Sequence, residues 1–143
     1  GRVIVQTRFP GEPLFASLLA HDFEGFADRL LAERREAGLP PFGHQALLRA
    51  EAAIAEDAIG FLAAARNALL DLLADQPELA AQVRCYDPVP MPLARLAGRE
   101  RAQLLVESDA RPALHRVLSI WWRALDALPA RARWQLEVDP AEI

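Results

Sequence analysis

With 143 residues, 52% of them apolar, and one cysteine, Cys85, the chain can bury a core of its own, and it excludes a disulfide framework or a multi-thiolate zinc site within one copy. Its sixteen basic residues, all of them arginines, face twenty acids for a net charge of −4, which excludes a uniformly basic nucleic-acid binder and a lysine nucleophile. No run approaches the roughly eighteen apolar residues that span a bilayer, and GRVIVQTRFPGEP lacks the layout of a secretory signal, so the expectation is a cytoplasmic protein with no membrane contact.

The chain opens on a strand-like VIVQT at 3–7 with almost nothing before it, the first ground for expecting a fragment cut from a larger protein. Residues 14–37 predict two helical pieces, one with Leu14, Phe15, Leu18 and Leu19, the other capped by Asp22 and carrying Phe23, Phe26, Leu30 and Leu31. Gly38 and Pro40-Pro41 stop it. HQALLRAEA at 44–52 alternates Ala46, Leu48, Ala50 and Ala52 with mostly polar residues, the pattern of a half-buried strand. Glu56 and Asp57 suit a helix start, and Ile59, Leu62, Ala65, Leu69 and Leu73 recur at helical spacing until Pro77.

A second strand is expected at QVRCY, 82–86. Pro88, Pro90 and Pro92 then lack N–H groups for pairing, which predicts a stiff extended loop leading to a basic turn around Gly98. RAQLLVES at 101–108 alternates again, Asp109 can cap the next helix, and Pro112 is tolerated in its first turn. That helix should bury Leu114, Val117, Leu118, Trp121, Leu125 and Leu128 and end at Pro129; Trp134, Leu136 and Val138 alternate in a last strand.

From residue 44 the order is strand, helix, strand, strand, helix, strand. This predicts an α+β, split βαβ (ferredoxin-like) domain over 44–143, with two helices on one face of an antiparallel sheet and a polar opposite face. Residues 1–43 fall outside that repeat and are expected to be a strand and helical connector belonging to a preceding unit.

Catalytic motifs are missing: the sequence holds no phosphate-cradling G-x-x-x-x-G-K-[ST], no G-x-G-x-x-G, no G-x-S-x-G and no H-E-x-x-H. His21, His44 and His115 fall on three separate elements, and Cys85 alternates with Val83 on the apolar side of its strand. No catalytic residue, metal ligand or cofactor is assigned to this chain.

Charge is uneven along it. Residues 1–83 hold seven arginines against twelve acids, and residues 84–143 hold nine against eight, so an anion-binding face is expected late in the chain. Two candidates stand there. Arg95, Arg99 and Arg101 flank the basic turn and can grip phosphates, although surface arginines are common. Arg111, His115 and Trp122 share a flank of the last helix, where a guanidinium and an imidazole beside an aromatic wall would suit a carboxylate attached to a hydrophobic side chain. A solvated helix flank with a boundary tryptophan accounts for the same spacing.

VIVQTRFPGEP at 3–13, ERREAGLPPF at 33–42, DPVPMPLARLAGRERAQLLVES at 87–108 and ARWQLEVDP at 132–140 resemble, in this order and spacing, the C-terminal end of the primosomal protein N′ (PriA) family of bacterial replication-restart helicases. Glu12, Asp87 and Glu137 depart from the family's usual His, Gly and Asp. The resemblance implies a parent that unwinds branched DNA with ATP and magnesium, with ATPase motifs and a zinc-binding segment upstream of Gly1. VIVQT would be the closing strand of the second helicase lobe.

It also implies partners: fork or single-stranded DNA, the acidic tail of single-stranded-DNA-binding protein, and other primosome proteins. The family's tail-binding arginine falls on Arg111, and a position that can be Gln in the family is His115 here. Two other functions are weighed. An RNA-recognition module on the same architecture would need aromatic residues on its central strands, which HQALLRAEA and RAQLLVES lack. A structural or regulatory scaffold that buttresses the helicase lobes remains the alternative.

Overall fold

The computed structural model describes residues 4–129 and 131–140. Two helices lead: α1 (Pro13–Ala20) and α2 (Phe23–Glu36). Asp22 divides them as expected, its Oδ1 accepting from the Gly25 N–H at 2.9 Å and so satisfying one of the free donors of α2. An Arg29 guanidinium N–H donates to the Ser17 hydroxyl and ties the helices together. The chain then turns through Gly38 at φ +64, where only glycine is unstrained, and Gly43, whose missing side chain would stand 2.0 Å from the Gly38 carbonyl oxygen.

Beyond that turn come β1 (His44–Ala52), α3 (Ala55–Ala74), a one-turn α4 (Pro77–Ala80), β2 (Val83–Cys85), β3 (Val89–Leu96), β4 (Arg99–Ser108), α5 (Arg111–Ala127) and β5 (Arg133–Val138). Every pairing is antiparallel and the order across the sheet is β2-β4-β1-β5, with β3 also on β4. β2 and β3 occupy successive lengths of one edge, so the expected split βαβ arrangement is present.

The periodicities explain the packing. Ala46, Leu48 and Ala50 of β1, Leu104 and Val106 of β4, and Leu136 of β5 point to one face, and α3 and α5 cover it. α3 contributes Ala58, Phe61, Leu62, Ala65, Leu69 and Leu73, the i, i+3, i+4, i+7 stripe of an amphipathic helix. α5 contributes Leu114, Val117, Trp121 and Leu125. Trp121 is fully buried, and its indole N–H donates to the Ala65 carbonyl at 2.9 Å, so the largest core side chain leaves no unpaired donor.

Of VIVQT, expected as the closing strand of a preceding lobe, Val3 lies outside the described residues and residues 4–7 pair with no described strand, Ile4 being 79% exposed; a closing strand would take its hydrogen bonds from that lobe. Three local expectations are corrected. The proline-rich stretch does pair. Val89 and Pro90 oppose Gln103 and Ala102, the register shifts between Pro90 and Arg95, and Arg95 and Leu96 oppose Glu100 and Arg99. Proline is tolerated because β3 is an edge strand with an irregular ladder. Ala97 at φ +50 and Gly98 at φ +76 then form the two-residue turn to β4.

Asp109 does not cap α5, whose N-cap is Ala110 without a side-chain bond; the Asp109 carboxylate accepts from Arg84 at 2.9 Å instead. The face expected to be polar carries Leu47, fully buried, and the half-buried Leu105 opposite it. Both sit mid-sheet, ringed by Gln45, Arg49 and Gln103.

Candidate nucleic-acid interface

The second, helix-free face of the sheet is built by strand parity. Cross-strand partners share a face, so Gln45, Leu47, Arg49 and Glu51 of β1 stand with Glu107, Leu105, Gln103 and Arg101 of β4, with Glu137, Gln135 and Arg133 of β5, and with Arg84 of β2. Its two ends differ in charge.

One end gathers around Glu107, which accepts from Tyr86 Oη at 2.6 Å and Gln45 Nε2 at 2.7 Å and lies 3.7 Å from Arg84. The hydrogen bond to Glu107 raises the Tyr86 phenol above its ordinary pKa, and Arg84 holds the Asp109 carboxyl below its own. This end is internally neutralised.

The other end is basic. Glu51 opposes Arg101 on one side and Arg133 on the other, and pairs with Arg101 at 3.2 Å. Arg49, two residues along β1, pairs with Glu137. Arg99 follows Arg101 on the same face at the hairpin end, and neither Arg99 nor Arg133 makes an ion pair with any described residue. Arg49, Glu51, Arg101, Arg133 and Gln135, with Trp134 at the edge, line a depression of about 210 Å³.

The predicted phosphate-gripping arginines are therefore divided. Arg99 and Arg101 share the open face, whereas Arg95 opposes Glu100, pairs with it at 3.6 Å, and points to the opposite side of the hairpin. Arg49 and Arg133 were missed. Each stands at a polar position of an alternating strand, but alternation alone does not tell which strands are neighbours or in what register.

Arg111, His115 and Trp122 lie exposed along one side of α5. His115 and Trp122 are seven residues apart, about 10 Å along the axis, so the aromatic group stands two turns beyond the imidazole. Trp122 is 47% exposed and meets Trp134 edge to face at 5.2 Å, while Trp134 stacks on Phe61 at 6.4 Å. A ligand touching all three residues would be extended.

Elsewhere, Cys85 is pushed up to about 11 by burial, the behaviour of a packed thiol rather than a nucleophile. Among the described residues no group of three or more His, Cys, Asp or Glu can hold a metal, and no helix is long and apolar enough to cross a membrane. An apolar groove of about 350 Å³ lies on α1 and α2, lined by Leu14, Leu18, Phe23 and Phe26 among others.

The family model described as the primosomal protein N C-terminal domain matches residues 35–141, from the last turn of α2 to beyond β5. The chain belongs to that family. The primosomal protein N C-terminal domain thus comprises the whole sheet, α3 to α5 and both candidate sites. "Replication restart protein PriA" of Haemophilus influenzae is 33% identical over all 143 residues, which cover 19% of that protein. The protein of the same name from Synechocystis is 29% identical over the same span, 16% of its length, and that from Bacillus subtilis 25% identical over 130 residues, 88% of this chain and 15% of that protein. The chain spans about a fifth or less of the curated relatives it matches. A de novo designed protein, Foldit4, matches at a TM-score of 0.41 and 10% identity, over 67% of this chain and 94% of that one, a likeness that carries no argument.

Proposed function

We propose that this chain is the non-catalytic C-terminal part of a replication-restart DNA helicase, where it contributes to holding branched or single-stranded DNA and to docking the tail of single-stranded-DNA-binding protein. The observation that carries the proposal is the match of the primosomal protein N C-terminal domain over 35–141. The family description, primosomal protein N, and the relatives' printed name, replication restart protein, support a place among primosome proteins, and this reading puts that place in the cytoplasm. ATP with magnesium, and zinc, belong in this reading to the part of the parent upstream of Gly1.

Arg99 and Arg101 on the open sheet face, and Arg95 behind it, are the proposed DNA contacts; Arg111, His115 and Trp122 are the proposed contacts of the tail. Such a tail is aspartate-rich and ends in a phenylalanine carboxylate, and Arg111, exposed at the first position of α5, a helix whose N-cap side chain makes no hydrogen bond, is suited to pair with a carboxylate. In a fluorescence titration with a tail peptide, Arg111→Ala should weaken binding by about 1.5 to 3 kcal/mol. Unchanged affinity would remove the tail-binding role. Should the chain bind neither fork DNA nor the peptide, yet dock stably on the helicase lobes, the scaffold reading would replace this one.

A further inference from the structure

The basic end of the open sheet face concentrates positive charge in a chain whose net charge is −4. Arg101 and Arg133 stand on the two strands that flank β1, both opposite Glu51, with Arg49 diagonal to each. Adjacent strands are about 4.8 Å apart, so the two outer arginines rise about 10 Å from one another, one on each side of the depression. Glu51 is the carboxylate that lines the depression among three guanidinium groups, Arg49 is also paired with Glu137 beside it, and Arg99 extends the row along β4. Like charges held this close repel, and only Arg101 has its Glu51 partner inside the depression.

We infer that this depression, formed by Arg49, Arg101 and Arg133 and continued by Arg99, binds the phosphodiester backbone of a single nucleic-acid strand laid across the sheet. The inference rests on the DNA-binding reading above and moves its centre from the hairpin tip to the sheet face, adding Arg49 and Arg133. Guanidinium groups grip phosphate oxygens bidentately, which suits a site whose basic groups are all arginines. An acidic peptide is less suited. β1 is paired on both sides, so the middle of this face offers no free backbone to add a strand to, and the depression has a polar lining where a peptide would need an apolar anchor. No aromatic residue stands among the open-face positions of β1 and β4, and Trp134 lies only at the edge of the depression, so contact falls mainly on the backbone and should depend little on base sequence.

The test is fluorescence anisotropy of the full chain with a labelled oligo-dT strand at about 50 and 200 mM salt. Arg133→Gln removes an exposed side chain that pairs with no described residue, and should weaken binding roughly threefold to tenfold while lowering the slope of log K against log salt by about 0.7. Glu51→Gln removes the one carboxylate in the depression and should tighten binding. Arg123→Gln, on the exposed side of α5, is the control and should change neither. If the wild type binds the strand and Arg133→Gln and Glu51→Gln leave affinity and slope alone, the sheet-face site is overturned and the DNA-binding reading survives. No binding by the wild type overturns both. A mononucleotide or inorganic phosphate bound as tightly as the strand overturns the inference in favour of a free-anion site, and an acidic peptide binding there in place of the strand overturns it in favour of a protein partner.

Discussion

Cys85 and Trp121 show how burial converts reactive or polar side chains into packing material. The Cys85 thiol lies against the core beside Val83, and burial raises its pKa from 9.0 to about 11, with Arg66 pulling weakly the other way. In the unfolded chain the thiol ionises near 9, so between about 9 and 11 the folded state retains a proton that the unfolded state has lost. Stability from this group is therefore complete below pH 9 and declines as pH rises through 11. Alkylation of Cys85 by iodoacetamide should show the same displacement, with half-maximal rate near pH 11 in the native chain and near 9 in urea. A native midpoint near 9 would mean that the thiol is solvated. Trp121 carries no titratable group, and the Ala65 carbonyl accepts from its only donor.

Element by element, what local pattern reveals and what it conceals can be separated. β1, α3, β4, α5 and β5 stand where alternation or the helical stripe predicts them, because each buries one regular face. β3 was concealed because its two prolines, Pro90 and Pro92, and Pro88 just before it argue against pairing, and only its place at the sheet edge permits it. The Asp109 cap was plausible by position, but Arg84, brought alongside by the pairing of β2 with β4, binds its carboxylate. The candidate site follows the same division. Arg99 and Arg101 were legible as a local cluster, whereas their union with Arg49 and Arg133 on one face, and the placement of Arg95 on the other, depend on strand register. The hairpin turn supplies its own prediction. Ala97 is held at φ +50, which costs a residue with a Cβ about 1 kcal/mol, and Asn before Gly is the preferred pair for this turn. Ala97→Asn should raise the urea unfolding free energy by about 0.5 to 1 kcal/mol, and a loss of stability would show that the turn adopts another geometry.

At the scale of the whole molecule the chain divides by its packing. α1 and α2 pack on each other, while the sheet, α3 and α5 share one continuous core. No residue of α1 or α2 belongs to that core. Leu18, Leu19 and Phe23 are 56%, 83% and 76% exposed, which is apolar surface that water disfavours and that promotes self-association. The sheet domain should therefore hold its stability without the leading helices. A chain starting at Pro41 should unfold in urea with a free energy within about 0.5 kcal/mol of the full chain's, since deleted groups that share no core add nothing to it. It should also sediment as a smaller and more uniform species, because the exposed leucines and phenylalanine leave with the helices. Cooperative loss of the sheet on truncation would mean instead that the turn from Gly38 to Gly43, clamped by Arg34 on the Pro40 carbonyl and by Arg35 over the Phe42 ring, carries stability from the leading helices into β1.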